Sequence, residues 1–146
     1  MRIVGKWFTC PDGELRPVVD GYAADLAGTE RQERFLVDTG ADATVFTAGF
    51  WQKLGLPSQV PQPGVGLQGV GGAQAYVLIR TTLTLYADDG SPARIQGEFA
   101  VFTDPAAADE SILGRDVLNH FHVIVSRPAN EVLLLATSHR YQVEPP

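Results

Sequence analysis

At 146 residues the chain is the size of one domain and can bury a core without disulfide or metal staples. Apolar residues make up 45% and charged residues 19%, a globular balance that excludes an intrinsically disordered chain. The formal charge of −6, with Lys and Arg scattered, excludes a nucleic-acid or anionic-membrane surface, since both need clustered cations.

In chain order, residues 2–8 and 15–19 flank Pro11-Asp12-Gly13, a tripeptide with hairpin-turn chemistry. A second strand pair follows over 17–26 and 31–37, with its turn around Gly28. Residues 47–54 show helical spacing, with Phe50, Trp51 and Leu54 on one side and Gly55 placed to end the helix. Residues 57–63 read as a loop, and the glycine-rich turn Leu67-Gln68-Gly69-Val70-Gly71-Gly72-Ala73 separates two extended stretches. Residues 75–86 alternate and carry Thr81, Thr82 and Thr84; they turn at Asp88-Asp89-Gly90 and return over 94–102. Residues 104–110 form a loop or short helical turn. A short apolar strand, Ile112-Leu113-Gly114, leads into a helix from Arg115 to about His120. Residues 121–125 and 131–135 close the chain as a hairpin around Arg127-Pro128-Ala129-Asn130. The expectation is one mainly β domain over 1–146 with one or two short helices.

Cys10 is the single cysteine, so no disulfide can form within the chain, which suits a reducing compartment. No apolar run approaches the roughly 20 residues of a membrane-spanning helix, and Met1-Arg2-Ile3-Val4-Gly5-Lys6 lacks the apolar stretch of a secretion signal. A cytoplasmic location with no membrane partner is the expectation.

The chemistry concentrates in Phe35-Leu36-Val37-Asp38-Thr39-Gly40-Ala41-Asp42-Ala43-Thr44-Val45. An apolar strand that runs straight into Asp38 carries a carboxylate inward, where it needs hydrogen bonds or a partner. Thr39 offers a hydroxyl, Gly40 a sharp turn and close approach for another chain, and Ala41 a small neighbour. As a bare tripeptide Asp-Thr-Gly is also a common surface turn. The apolar residues on both sides argue against that reading.

The segment 35–42 closely resembles the active-site segment of retropepsin-type (retroviral) aspartic proteases. Ile112-Leu113-Gly114-Arg115-Asp116-Val117-Leu118 resembles the family's second motif, and Gly69-Val70-Gly71-Gly72 lies between them where the family carries its flap hairpin. The three motifs cover residues 35–118 in the right order. The resemblance implies a closed, barrel-like acid-protease fold with one lobe per chain. It implies Asp38, Thr39 and Gly40 as the catalytic triplet, with the Thr39 hydroxyls tying two active-site loops together. Arg115 would brace Asp42 from the same subunit. Ala41, Asp42, Val45, Gly69, Val70, Gly71, Gly72 and Ile112 would contact substrate.

Aspartic proteolysis needs two carboxylates sharing one proton. No second Asp-Thr-Gly or Asp-Ser-Gly occurs: Val19-Asp20-Gly21 lacks the hydroxyl residue, and a two-lobed chain would need roughly twice this length. A homodimer in which Asp38 meets its symmetry mate remains, acting on a peptide or protein. The alternative is a catalytically silent retropepsin-like module that dimerises or binds peptides. In viral enzymes interleaved termini build the dimer contact. Here residues 141–146 end in two prolines and make a poor strand, so residues 121–135 become the other candidate for the interface.

Gly69-Val70-Gly71-Gly72 matches no phosphate-binding pattern. His120, His122 and His139 lack ligand spacing, so neither a metal nor a cofactor is expected. Cys10 has nothing near it in sequence to activate it as a nucleophile. Trp7, Trp51 and Tyr86 read as core or interface residues.

Overall fold

The computed structural model describes residues 1–60 and 75–136. Its elements are β1 (Arg2–Val4), β2 (Lys6–Thr9), β3 (Leu15–Ala24), β4 (Glu30–Val37), β5 (Val45–Phe46) and α1 (Ala48–Leu54), followed by β6 (Tyr76–Tyr86), β7 (Pro92–Phe102), β8 (Ser111–Leu113), α2 (Arg115–Leu118), β9 (His122–Ser126) and β10 (Glu131–Leu135). With 52% of the described residues in strands and 9% in helices, the fold is mainly β.

Most turns form where the local chemistry dictates. Gly13, Gly28 and Gly90 have positive φ in the turns before β3, β4 and β7. In α1, Thr47 caps the start by accepting the Phe50 N–H at 3.2 Å, and Gly55 ends the helix in the left-handed conformation. Within the segment read as a loop, Gln59 makes an isolated antiparallel bridge to Leu78.

One stretch departs from the expected pattern. Residues 2–8 do not form a single strand, because the chain changes sheets at Gly5. The Gly5 N–H bonds the Val132 carbonyl, and a Cβ there would sit 2.3 Å from the Val18 carbonyl oxygen. Only glycine fits that approach, so β1 leaves to pair with β10 while β2 stays with β3.

Six strands close a barrel in the order β3-β4-β8-β5-β7-β6, and β6 pairs back to β3 through Tyr22↔Thr84 and Ala23↔Leu83. β2 hangs on the outer edge of β3. The second sheet, β1-β10-β9, is a separate three-stranded layer. It shares the main core, since Ile3, Val132 and Leu134 pack with Val19, Phe35 and Phe46. Trp7 ties the two sheets by donating its indole N–H to the Ser126 carbonyl at 3.1 Å. Phe35, Phe46 and Phe50 meet edge to face, and Phe46 stacks on Phe99. Phe35 is fully buried at this junction, and truncating it to alanine would cost about 3–5 kcal/mol.

Of the aromatic residues singled out above, Trp7 and Trp51 are half-buried against the core. Tyr86 is on the surface and not in the core, donating its hydroxyl to Glu30 at 2.6 Å. Among the described residues no helix is long and apolar enough to cross a membrane.

Candidate active site

The site is built on β8, which lies between β4 and β5. β4 runs parallel to β8, pairing Phe35↔Ser111, Leu36↔Ile112 and Val37↔Leu113, while Val45 of β5 faces Ile112 antiparallel. The chain from β4 to β5 therefore loops around the C-terminal end of β8, and that loop carries Asp38. The Asp38 N–H extends the ladder by donating to the Leu113 carbonyl at 3.1 Å. Buried Val37 and Leu113 anchor the start of the loop.

Asp38 is half-buried, and its Oδ1 accepts the Gly40 N–H at 3.0 Å. Gly40 does not have positive φ. Its use is space: a Cβ there would find only Asp38 Oδ1, at 3.2 Å. Thr39 and Gly40 are exposed, so this side of the loop stays open. The Ala41 N–H donates to the Asp38 carbonyl at 3.2 Å and closes a tight turn.

α2 braces the loop from behind. The Arg115 backbone N–H donates to the Ala41 carbonyl at 2.9 Å, and the Asp116 N–H to the Asp42 carbonyl at 3.2 Å. The Arg115 guanidinium bonds the Thr39 carbonyl at 3.0 Å and pairs with the Asp42 carboxylate. The Asp42 side chain is 78% exposed, so the ion pair itself is a surface pair worth about 0–1 kcal/mol. The backbone bonds carry more of the bracing.

Two residues not singled out from sequence hold the loop most firmly. Thr44, fully buried, donates its hydroxyl to Asp116 Oδ1 at 2.7 Å and accepts the Gly114 N–H at 3.0 Å. Asp116 Oδ1 also takes the backbone N–H of Thr44 and of Val117, each at 2.9 Å. Gly114 is pressed against the loop, where a Cβ would fall 2.4 Å from the Ala43 carbonyl carbon. The available signal was Thr44 itself: a hydroxyl inside Ala43-Thr44-Val45-Phe46 must find a partner if that run is buried.

Val45 and Ile112, proposed as pocket residues, meet in a small apolar cluster separate from the main core. Ala100 and Phe102 complete it, with Tyr76, Leu78, Ala107 and Ala108 packed against it. Val45 is buried and Ile112 half-buried, so Ile112 is the one that presents surface. The proposed flap residues Gly69, Val70, Gly71 and Gly72 lie outside the described residues, as do His139 and the tail over 141–146. Among the described residues no group of His, Cys, Asp or Glu could hold a metal ion. Cys10 is buried and unpaired.

The family model described as "gag-polyprotein putative aspartyl protease" matches residues 25–120. Among solved structures, a retropepsin-like aspartic protease from Rickettsia conorii aligns over 92% of this chain and 90% of its own, at 18% identity and a TM-score of 0.57. EIAV protease, complexed with the inhibitor HBY-793, aligns over 77% of this chain and 92% of its own, at 27% identity and a TM-score of 0.49. The retroviral protease-like domain of Ddi1 from Leishmania major covers 81% of this chain and 94% of its own, at 17% identity and a TM-score of 0.45. No curated protein sequence matches. The Rickettsia alignment, nearly end to end in both chains, carries the assignment of the closed barrel to the retropepsin-like fold.

Proposed function

Because this chain belongs to the gag-polyprotein aspartyl protease family, we propose that it is an aspartic endopeptidase, active as a homodimer with one Asp38 from each subunit. The observation that carries the reading is the construction of the Asp38 loop. Asp38, at the end of an apolar strand, is fixed at its carboxylate by the Gly40 N–H and at its backbone by the Leu113 carbonyl, and its loop is braced by α2, yet Thr39 and Gly40 are exposed. A surface turn has no use for that bracing, and a half-site completed by a second copy does.

In the dimer the two Asp38 carboxylates share one proton, because like charges so close cannot both ionise. The ionised carboxylate takes a proton from a bound water as the water oxygen bonds to the scissile carbonyl carbon. The protonated one gives its proton to the carbonyl oxygen. The tetrahedral intermediate collapses as the amide nitrogen takes up a proton and the C–N bond breaks. No covalent enzyme intermediate and no metal enter the scheme. The substrate lies as an extended strand across the aspartate floor, and the cluster around Ile112 and Leu78 favours apolar side chains beside the cleaved bond.

The test is cleavage of a mixed peptide library from acid to neutral pH by the native chain and by Asp38→Asn, with mass in solution measured alongside. Cleavage by a dimer that disappears in Asp38→Asn is the expected result. A native dimer that binds peptides and never cleaves them would instead identify a peptide-binding module.

A further inference from the structure

Side chains alternate along a strand, so Arg34, Leu36 and Asp38 share one face of β4 and of the loop that continues it. Ile112 borders that face from β8, where it pairs with Leu36. Phe8 reaches the same face from β2, and the Arg34 guanidinium lies over the Phe8 ring at 3.6 Å. Lys6 Nζ stands 5.9 Å from the centre of that ring. Two cations far apart in sequence therefore meet on one aromatic ring, on the side of the sheet that carries Asp38.

These two differ from most cations of the chain. Arg2, Arg16, Arg31 and Arg80 each hold a carboxylate within 2.9 Å, and Arg115 pairs with Asp42. Lys6 has no ion pair among the described residues. Arg34 comes only within 3.9 Å of Glu110 Oε2, too far for a hydrogen bond, and its buried Nε has no partner among the described residues. Asp20, opposite Arg34 in the β3–β4 register, is exposed and forms no ion pair with it.

We propose that Lys6 and Arg34, gathered on Phe8, form a subsite for a carboxylate side chain of the bound peptide, so that Asp or Glu is preferred a few residues from the cleaved bond. This rests on the preceding reading, in which a peptide lies across Asp38. Lys6 and Leu36 both pair with Val18; carrying that register two residues further sets Phe8 in line with Asp38 across β3. Two strand spacings then separate them by on the order of 10 Å, about three residues of an extended peptide. Stacking on the ring holds the planar guanidinium in place before a carboxylate arrives, and planar N–H groups suit that acceptor. On a chain of net charge −6, this is a place where an acidic segment is attracted and a basic one repelled.

The test uses decapeptides with a pair of apolar residues at the centre and one Glu, Gln or Lys at each outer position in turn, with kcat/KM measured at low salt. For the native chain, Glu should be favoured over Gln roughly tenfold at one position, and Lys disfavoured there. Arg34→Gln should bring that ratio to about one and Lys6→Gln should lower it, while Arg80→Gln, which touches Glu98 and not Phe8, keeps it. Lys6 is exposed, so Lys6→Gln should fold even if Arg34→Gln, which uncovers Phe8, does not; far-UV circular dichroism checks both. Asp20→Asn should raise the ratio by removing the nearest exposed acid. A native ratio near one at every position, or a ratio that neither Lys6→Gln nor Arg34→Gln changes, would overturn the subsite and leave the endopeptidase standing. A native chain that cleaves none of the peptides would overturn the endopeptidase reading; binding of the same Glu and Gln peptides then decides the subsite, with tighter Glu binding supporting it and equal binding overturning it.

Discussion

β8 is tied down at both ends by a buried hydroxyl that serves a carboxylate, and the two knots share one design. At the C-terminal end the Thr44 hydroxyl donates to Asp116 while accepting the Gly114 N–H. At the N-terminal end the fully buried Ser111 hydroxyl donates to Glu33 Oε2 at 3.0 Å while accepting the Thr47 N–H, also at 3.0 Å. Thr47 repeats the device, donating to Glu33 Oε2 at 3.2 Å while capping α1. What differs is the attachment. The first knot fixes the loop that carries Asp38, and the second fixes α1 against β4 and β8. The same hydrogen-bond chemistry should therefore serve catalysis at one end and stability alone at the other.

The largest effect expected is from Gly114→Ala. Its methyl group would meet the Ala43 and Thr44 backbone, which cannot move without displacing Asp38. A loss of about 3 kcal/mol or more in stability, with cleavage lost as well, is the expected result by denaturant titration and peptide assay. A folded, active Gly114→Ala protein would mean that the loop yields more easily than this packing implies.

Next comes Thr44→Val, which keeps the shape and removes the hydroxyl. It leaves the Gly114 N–H without its acceptor and takes from Asp116 Oδ1 one of its three donors, a cost of about 1–3 kcal/mol. Here kcat should fall further than the folded fraction explains, and Thr44→Ser should restore it. Ser111→Ala removes the matching hydroxyl at the other knot and should cost a similar 1–3 kcal/mol, with kcat per folded dimer unchanged. The contrast between the two ends breaks if Ser111→Ala lowers kcat as much as Thr44→Val does.

How far the sequence spoke follows the range of the interactions. The Asp38 segment was legible because its signal is contiguous: an apolar run, then Asp-Thr-Gly, then another apolar run. α1 was legible for the same reason, with Gly55 marking its end. Both knots were not, because Thr44 finds Asp116 across 72 positions and Ser111 finds Glu33 across 78. The split at Gly5 depends on Val18 and Val132, and barrel closure depends on Tyr22 and Ala23 meeting Thr84 and Leu83. Of these contacts only Thr44 leaves a local trace, a hydroxyl inside an apolar run, and that trace names no partner. The exposure of Asp42 was missed for a related reason: a motif names the ion pair with Arg115 and says nothing of the solvent around it.

The smallest expected effect sharpens the second knot. Glu110 precedes Ser111, with its side chain 11% exposed and Arg34 Nη1 3.9 Å away. Burial raises its carboxyl above the ordinary value of 4.5; Arg34 pulls it down, while Glu33 and Asp109 push it up. Arg34 is poorly placed to win, since it stacks over the Phe8 ring at 3.6 Å and its Nε is buried without a partner among the described residues. The folded state thus holds this proton more tightly than the unfolded chain does. That contribution to stability is complete below the unfolded value and is lost as pH rises through the folded one. Glu110→Gln removes the ionisation, so its stability relative to the native chain should grow as pH rises through the weakly acidic range and then level off. Urea titrations over that range would show the trend, and a difference that does not vary with pH would place the origin in packing rather than in charge. Peptide cleavage, governed at the far end of β8, should not follow it.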